Sequence, residues 1–322
     1  MSGSTAYLIR RILYLGPLWL GLSLLAFGLG LFAPGDPAAS LYVRLYGQPA
    51  ANQTALDELR AEYGLNDPFL VRYGRWVAAA LRGDLGNSYQ SGRPVLGELV
   101  NRFGATSQIA VGGLFVAMLI AFPLGIAAAR HPNRSVDLLA RLFALIGTAM
   151  PAYWLAYLLI LLFAVRLKWL YVSGTGTWWH LLLPALTLGL GGAASLSRLL
   201  RASLLEVFNQ DYIRTARAKG LWEGRVVLRH ALHNASIPVV TLLGSLFGFL
   251  LSGAVVVETV FAWPGIGRLI VDAISFRDYP VIQGFVLVTG TIFVLINLGV
   301  DLLYTVIDPR IRFSGPAETS HG

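Results

Sequence analysis

The side chains that usually carry chemistry are few in this sequence and poorly placed for catalysis. None of its 322 residues is cysteine, so disulfides, thiolate metal sites and iron–sulfur clusters are excluded. A phosphate-binding loop needs Gly-Lys followed by Ser or Thr, but Lys168 precedes Trp169 and Lys219 precedes Gly220. The chain therefore has no ATP-hydrolysis motif of its own. No cluster of His, Asp, Glu or Ser within its apolar segments predicts an enzyme.

The histidines and methionines do not predict a metal centre. His230 and His233 are three residues apart, His180 is far from them in sequence, and Met118 and Met150 are isolated. Transition metals such as nickel are held by grouped imidazole or thiolate ligands. We therefore expect neither a resident metal nor a cofactor.

The composition is that of a membrane protein. Apolar residues make up 56% of the sequence and charged residues 13%, whereas soluble domains are about 25% charged. Six segments without a charged residue reach 22 residues or more, and roughly 20 residues suffice to cross the hydrocarbon core as a helix. They are 12–35, 103–129, 142–165, 169–197 (with its helix expected at about 181–200), 230–257 and 279–300. We predict an all-α membrane protein with six transmembrane helices.

The distribution of basic residues predicts the orientation. The short segments on one side of the spans carry 14 Arg and Lys residues and those on the other side carry 4, and the richer side is normally cytoplasmic. Both termini are therefore expected in the cytoplasm, and the net charge of +8 needs no nucleic-acid partner. The predicted organisation is a tail at 1–11, the first span, an extracytoplasmic loop at 36–102, a core domain at 103–308 and a tail at 309–322.

The long extracytoplasmic loop contains a predicted amphipathic helix. After Pro68, apolar residues recur at helical spacing over 69–81, while Arg72 and Arg75 lie elsewhere on the helical circle. Such a helix lies on the outer leaflet or packs over the bundle, as a structural cap or as a docking surface. The Gly, Asp and Asn residues of 83–88 then predict turns.

A polar segment of about thirty residues, 198–229, joins spans four and five on the cytoplasmic side. Asn209 or Asp211 can cap a helix there, and Gly220 can end it in the left-handed conformation. The segment predicts a two-turn helix over 212–219, followed by a second helical stretch that leads into span five. Because so short a helix is unstable alone in water, it packs against its own bundle or against a partner.

The sequence of this segment has a recognisable form. Residues 211–221 read DYIRTARAKGL and residues 229–235 read RHALHNA. Both resemble the coupling loop of ATP-binding-cassette (ABC) importer permeases of the dipeptide, oligopeptide and nickel type. Similar motifs follow one another between about residue 6 and residue 313, at 34–37, 64–68, 83–86, 93–95, 258–268, 277–281 and 308–312. The general signature of importers at this place is Glu-Ala-Ala, and Arg214, Thr215 and Ala216 stand there in this sequence. This departure resembles the form found in the peptide branch.

The resemblance implies a non-catalytic permease subunit of an ATP-driven, binding-protein-dependent importer in a bacterial inner membrane. Its implied partners are a second permease (a different chain or a copy of this one), two cytoplasmic ATPase subunits and an extracytoplasmic solute-binding protein. The resemblance also assigns contact with the ATPase to the short cytoplasmic helix. The residues concerned are Asp211, Tyr212, Arg214, Thr215, Ala216, Arg217, Ala218, Lys219 and Gly220.

Three residues near the opposite end are candidates for an outer gate or for contact with the binding protein. They are Glu258, Trp263 and Asp278. Glu258 could equally form a structural bridge with Arg268 or Arg277. Trp263 could instead be an interfacial anchor, like Trp178 and Trp179.

The cargo is predicted only by class. Short peptides are favoured because no set of metal ligands is found, and nickel or a nickel chelate is the alternative. A self-sufficient secondary carrier or channel is the rival from another class. Ion-coupled carriers usually place carboxylates inside their spans, whereas Glu258 and Asp301 lie at the span edges.

Overall fold

The structure, a computed structural model, describes residues 16–29, 36–50 and 52–307. Within these residues the secondary structure is helical, apart from one isolated β-bridge between Asn87 and Pro94. The predicted tails at 1–11 and 309–322 lie outside the described residues, and so do both ends of the first predicted span.

The helices are numbered in chain order. The first group is α1 (Gly16–Leu29), α2 (Pro37–Tyr46), α3 (Gln53–Glu62) and α4 (Phe69–Ala80). The second group is α5 (Val95–Arg130), α6 (Ser135–Ala149), α7 (Ala152–Leu159, continued by a π-helix over Ile160–Arg166), α8 (Trp178–Phe208) and α9 (Asp211–Ala218). The last group is α10 (Glu223–Arg225, continued by a π-helix over Val226–Ala231), α11 (Leu232–Gly253), α12 (Val255–Val260), α13 (Ile266–Phe276) and α14 (Tyr279–Ile307).

Four of the described helices are long and apolar enough to cross a membrane. They are α5, α8, the continuous helix from α10 into α11, and α14. The helices α5 and α14 contain predicted spans two and six, and α8 contains the helix expected at about 181–200 in span four. Predicted span five is continuous only up to Gly253, and its last residues lie in α12. The described part of α1 is apolar but shorter. The described residues therefore contain four candidate spans, or five when α6 and α7 are counted together as one.

The third predicted span, 142–165, is not one continuous helix. Its two halves, α6 and α7, are bent by 108° at the break. Pro151 has no amide hydrogen to donate to the preceding turn, and it disfavours helical geometry in the residue before it. Met150 accordingly has an extended conformation with φ −82° and ψ 122°. The run of apolar residues located this segment, but α6 already begins at Ser135, seven residues before the predicted start, and the bend was not predicted.

The segment 36–102, which is the predicted extracytoplasmic loop, contains more helices than predicted. The helix α4 confirms the amphipathic helix, but α2 and α3 precede it. Asp36 caps α2 by accepting a hydrogen bond from the Ala38 amide at 3.0 Å. Asn52 caps α3 by accepting one from the Ala55 amide at 3.0 Å. These side chains satisfy helix N-termini that would otherwise be left without partners.

The amphipathic helix α4 packs against α1. The ring of Phe27 lies 5.7 Å from the rings of both Tyr73 and Trp76. The hydroxyl groups of Ser23 and Tyr73 are hydrogen bonded at 2.8 Å. Leu70 on another side of α4 is exposed. The helix α4 is thus attached to α1 by one side.

The crossing of α5 and α8 forms the centre of the bundle. A Cβ placed on Gly189 of α8 would lie 2.6 Å from the side chain of Val116 and 2.8 Å from the carbonyl oxygen of Gly113. No side chain fits in that space, so glycine is what lets the two backbones approach. The small residues of span four predicted a close approach to a neighbour, and the structure identifies α5 as that neighbour.

Replacing Gly189 with valine is expected to lower the thermal stability of the purified protein, because the new side chain forces α5 and α8 apart. Overpacking of this kind costs about 1–3 kcal/mol. Gly191 is the matched control, since no neighbouring atom lies within 4 Å of a Cβ placed there. Thermal unfolding followed by size-exclusion chromatography should separate Gly189→Val from Gly191→Val. Equal losses in the two variants would contradict the close crossing.

Candidate functional site

The helix α9 occupies the position predicted for the two-turn helix between spans four and five. It covers Asp211–Ala218, and Gly220 has a φ of 75°, which confirms the left-handed stop. The predicted N-cap is wrong. The residue before the helix is Gln210, whose side chain forms no capping bond. The side chain of Asn209 instead donates a hydrogen bond to the carbonyl oxygen of Leu205 at 3.0 Å, and so gives a carbonyl group in the last turn of α8 a partner.

The inner face of α9 is part of the main apolar core. Ile213 is 0% exposed and Ala216 is 7% exposed. Both belong to the cluster that contains Leu204 of α8, Val226 of the π-helix and Ala235 of α11. Of the two alternatives that the sequence left open, packing against the chain's own bundle is therefore realised on this face.

Polar contacts fasten both ends of α9 to the next helices. The amide nitrogen of Asn234 in α11 donates to the Tyr212 hydroxyl at 2.7 Å. Arg217 donates twice to the Glu223 carboxylate, at 2.7 and 3.2 Å, and lies 5.5 Å from the centre of the Phe208 ring. The hydrogen bond with the Glu223 carboxylate raises the pKa of Arg217. These contacts attach α9 to α8, α10 and α11.

The outer face of α9 is open to solvent. Eight of the nine predicted coupling residues are exposed, and Ala216 is the buried one. Trp222, which the sequence analysis did not single out, is 66% exposed just beyond this helix. Its ring covers Gly224, where a Cβ would overlap it. A large aromatic residue within a polar segment is the feature of the sequence that could have indicated an exposed surface continuing beyond Gly220.

At the other end of the bundle, Glu258 is fully buried. Its carboxylate accepts a hydrogen bond from the Thr106 hydroxyl of α5 at 2.6 Å and another from the Arg268 amide of α13 at 3.0 Å. Gly265 lies directly against this carboxyl group and leaves no room for a Cβ. Glu258 therefore contacts Arg268 through its backbone amide rather than through its guanidinium group. The Glu258 carboxylate joins α12, on which it lies, to α5 and α13.

Trp263 and Asp278 are also buried in this region. The indole nitrogen of Trp263 donates to the Ala105 carbonyl at 2.8 Å. Trp263 is therefore not an interfacial anchor, whereas Trp178 and Trp179 are exposed. Asp278 accepts hydrogen bonds from the Ser88 hydroxyl and from the amides of residues 89 and 90, at 2.9 and 3.1 Å for the two amides. It thus holds residues 88–90 to the start of α14.

An ion pair that the sequence analysis missed joins α6 to α8. Asp137 is fully buried and accepts two hydrogen bonds from the guanidinium group of Arg201, one of them at 2.8 Å. Arg141 lies 3.3 Å from the same carboxylate, and the Asn133 amide donates to it at 2.9 Å. Residues 130–141 were read only as a basic loop, because nothing local indicated the distant partner on α8.

A family comparison decides what kind of protein these features belong to. Residues 121–313 match the family described as the binding-protein-dependent transport system inner membrane component. The chain belongs to this family. The resemblance drawn from the sequence motifs is thereby confirmed, and the protein is a permease subunit of an ABC importer, a multi-pass protein of the inner membrane.

Relatives match along almost the whole length of the permease. The glutathione transport system permease protein GsiC of Salmonella paratyphi A is 45% identical over 307 residues, which cover 95% of this chain and 99% of that protein. The protein of the same name from Escherichia coli K12 is 44% identical over 307 residues. These homologues are permease subunits, which are non-catalytic, and an importer of this class also contains ATPase subunits and a binding protein.

Solved structures support the fold. An inward-facing structure of the MetNI methionine ABC transporter aligns with a TM-score of 0.53 at 20% identity, covering 65% of this chain and 96% of that one. A second crystal form of that transporter aligns with a TM-score of 0.54. At this identity the likeness concerns the fold alone.

Replacing Glu258 with alanine is expected to destabilise the permease, because the hydroxyl of Thr106 and the amide of Arg268 lose their acceptor in a buried site. Each buried donor left unpaired costs about 1–3 kcal/mol. Asp272→Ala on the neighbouring α13 is the control, since no ion pair or hydrogen bond of its side chain is found within the described part of the chain. The melting temperatures of the two purified variants test this. A Glu258→Ala melting temperature equal to that of Asp272→Ala would show that the buried network contributes little.

Proposed function

We propose that this permease imports short peptide-like solutes, a class that includes glutathione and dipeptides. The observation that carries the proposal is the 44–45% identity with GsiC over nearly the full length of both chains. Together with a second, related permease, the chain would form half of the translocation pathway. The six-span arrangement with cytoplasmic termini belongs to the same proposal, with α1 in the first span and α6 and α7 in one broken span.

The coupling of ATP hydrolysis to transport is proposed to pass through α9. Its exposed face would contact one of two ATPase subunits, and its buried face would pass the movement to the bundle. The support is mechanical. A surface attached only by a flexible loop would not transmit the movement of the ATPase to the membrane helices. The helix α9, in contrast, is attached to α8, α10 and α11 through Ile213, Tyr212 and Arg217. Trp222 adds an exposed aromatic residue to the proposed contact surface.

The outer residues are proposed to hold the extracytoplasmic gate in position. Glu258 and Trp263 fix the turn between α12 and α13 onto α5, and Asp278 fixes the extracytoplasmic loop onto α14. A binding protein that docks on this side would then act on one connected surface rather than on separate loops. Their burial supports a role in holding the gate closed from within.

Reconstitution in proteoliposomes tests the proposed cargo. The chain, its partner permease, the ATPase subunits and the binding protein should together take up labelled glutathione or a dipeptide when ATP is present. The controls omit one component at a time. Uptake by this chain alone would overturn its role as a coupled permease and favour a carrier or channel. Uptake of nickel but not of peptides by the complete system would overturn the proposed cargo.

The proposed coupling role predicts a specific effect at Gly220. Its φ of 75° strains any β-branched residue, although a Cβ there would meet no neighbouring atom within 4 Å. Gly220→Val should therefore distort the end of α9 and reduce peptide uptake per ATP hydrolysed several-fold. Gly220→Asn is the matched control, because asparagine tolerates the left-handed conformation and should keep most of the coupling. Unchanged coupling in Gly220→Val would contradict the role of this stop.

A further inference from the structure

A groove lies between α6 and α8 at the end of the bundle that carries α9. It has a volume of about 310 Å³, and Ala140 and Ala144 line it from the α6 side. At one end the two helices touch, because a Cβ placed on Gly147 would lie only 2.7 Å from the Ala194 side chain. At the other end the ion pair between Asp137 and α8 connects them. The groove is therefore a defined space within the bundle surface.

Three arginines line this groove, and one carboxylate faces them. Arg141, Arg198 and Arg201 are the basic lining residues, and Asp137 is the acidic group that pairs with two of them. Counting one charge per group, the cluster keeps a net charge of +2. Arg198 is exposed and forms no ion pair within the described residues. The groove thus has unneutralised positive charge at its rim.

The surroundings of the groove are apolar. Leu138, Leu145 and Ile146 on α6 are exposed, with 54%, 65% and 55% of their surface accessible. A surface that combines exposed leucine side chains with arginines at the predicted cytoplasmic level of the bilayer suits a phospholipid, whose acyl chains and phosphate have the same arrangement. Basic pockets between transmembrane helices on the cytoplasmic side bind anionic lipid head groups in this way.

We propose that this groove binds an anionic phospholipid of the phosphatidylglycerol or cardiolipin type. The phosphate would lie among Arg141, Arg198 and the remaining guanidinium nitrogen of Arg201, and an acyl chain would lie along Leu145 and its neighbours on α6. The bound lipid would strengthen the junction of α6 with α8, the helix that continues towards α9. This proposal concerns a lipid site and holds whichever cargo the permease transports.

The test uses the intact transporter complex purified in mild detergent. Native mass spectrometry should detect retained phosphatidylglycerol or cardiolipin, and added phosphatidylglycerol should raise the melting temperature of the complex. Phosphatidylcholine and inorganic phosphate should not. Each arginine near a charged bilayer surface contributes about fivefold to binding, so Arg141→Gln/Arg198→Gln should weaken retention by roughly 25-fold.

Two further variants keep the test selective. Arg134→Gln removes an exposed arginine that immediately precedes α6 and does not line the groove, and this variant should retain the lipid. Ala144→Leu fills the groove without changing its charge and should displace the lipid. Equal lipid retention in the wild type and in Arg141→Gln/Arg198→Gln would overturn the proposal. So would an equal loss in Arg134→Gln, or stabilisation by inorganic phosphate as strong as that by phosphatidylglycerol.

Discussion

The attachment of α9 to the bundle through Ile213 and Ala216 is the interaction on which the proposed coupling depends. A helix of two turns cannot hold its shape in water without tertiary contacts. Because its apolar face completes the core formed by α5, α8 and α11, the same contacts that fold it also fix its direction. Polar contacts near the two ends of α9 then fix its orientation, because Tyr212 is bound to α11 and Arg217 is bound to Glu223. What remains exposed is a surface of mainly charged and small residues, with the aromatic ring of Tyr212 among them, and this is the surface proposed to contact the ATPase.

The two ends of the permease are assembled by different chemistry. Apolar burial fixes α9 at one end of the bundle, whereas buried carboxylates organise the opposite end by accepting hydrogen bonds from hydroxyl groups and backbone amides. Glu258 collects donors from α5 and α13, and Asp278 collects three from residues 88–90. A carboxylate without such donors would be costly to bury. Between the two ends, the glycine contact at Gly189 lets α5 and α8 form a close-packed centre.

Features that depend on local sequence were predictable. The apolar runs located four candidate spans, the spacing after Pro68 located α4, and Gly220 located the end of α9. Features that depend on distant partners were not. Thr106 and Glu258 are 152 positions apart, so the sequence indicated a carboxylate near the outer surface but not its burial. The bend at Pro151 was missed for another reason, since a run without charges looks continuous whatever its geometry. The helices α2 and α3 had local signals, an Asp-Pro pair and Asn52, that the search for apolar runs passed over.

The hydrogen bonds of Asp278 bear on the order in which the protein is built. The amides of residues 89 and 90 are synthesised 189 and 188 positions before the carboxylate that binds them. At a translation rate of about 5–20 residues per second, this delay lasts roughly 10–40 seconds. During that time residues 89 and 90 have been synthesised without their anchor, and they become fixed only when the start of α14 has been made. This end of the permease is thus completed late in biogenesis, and a chain that stops before Asp278 lacks this closing contact altogether.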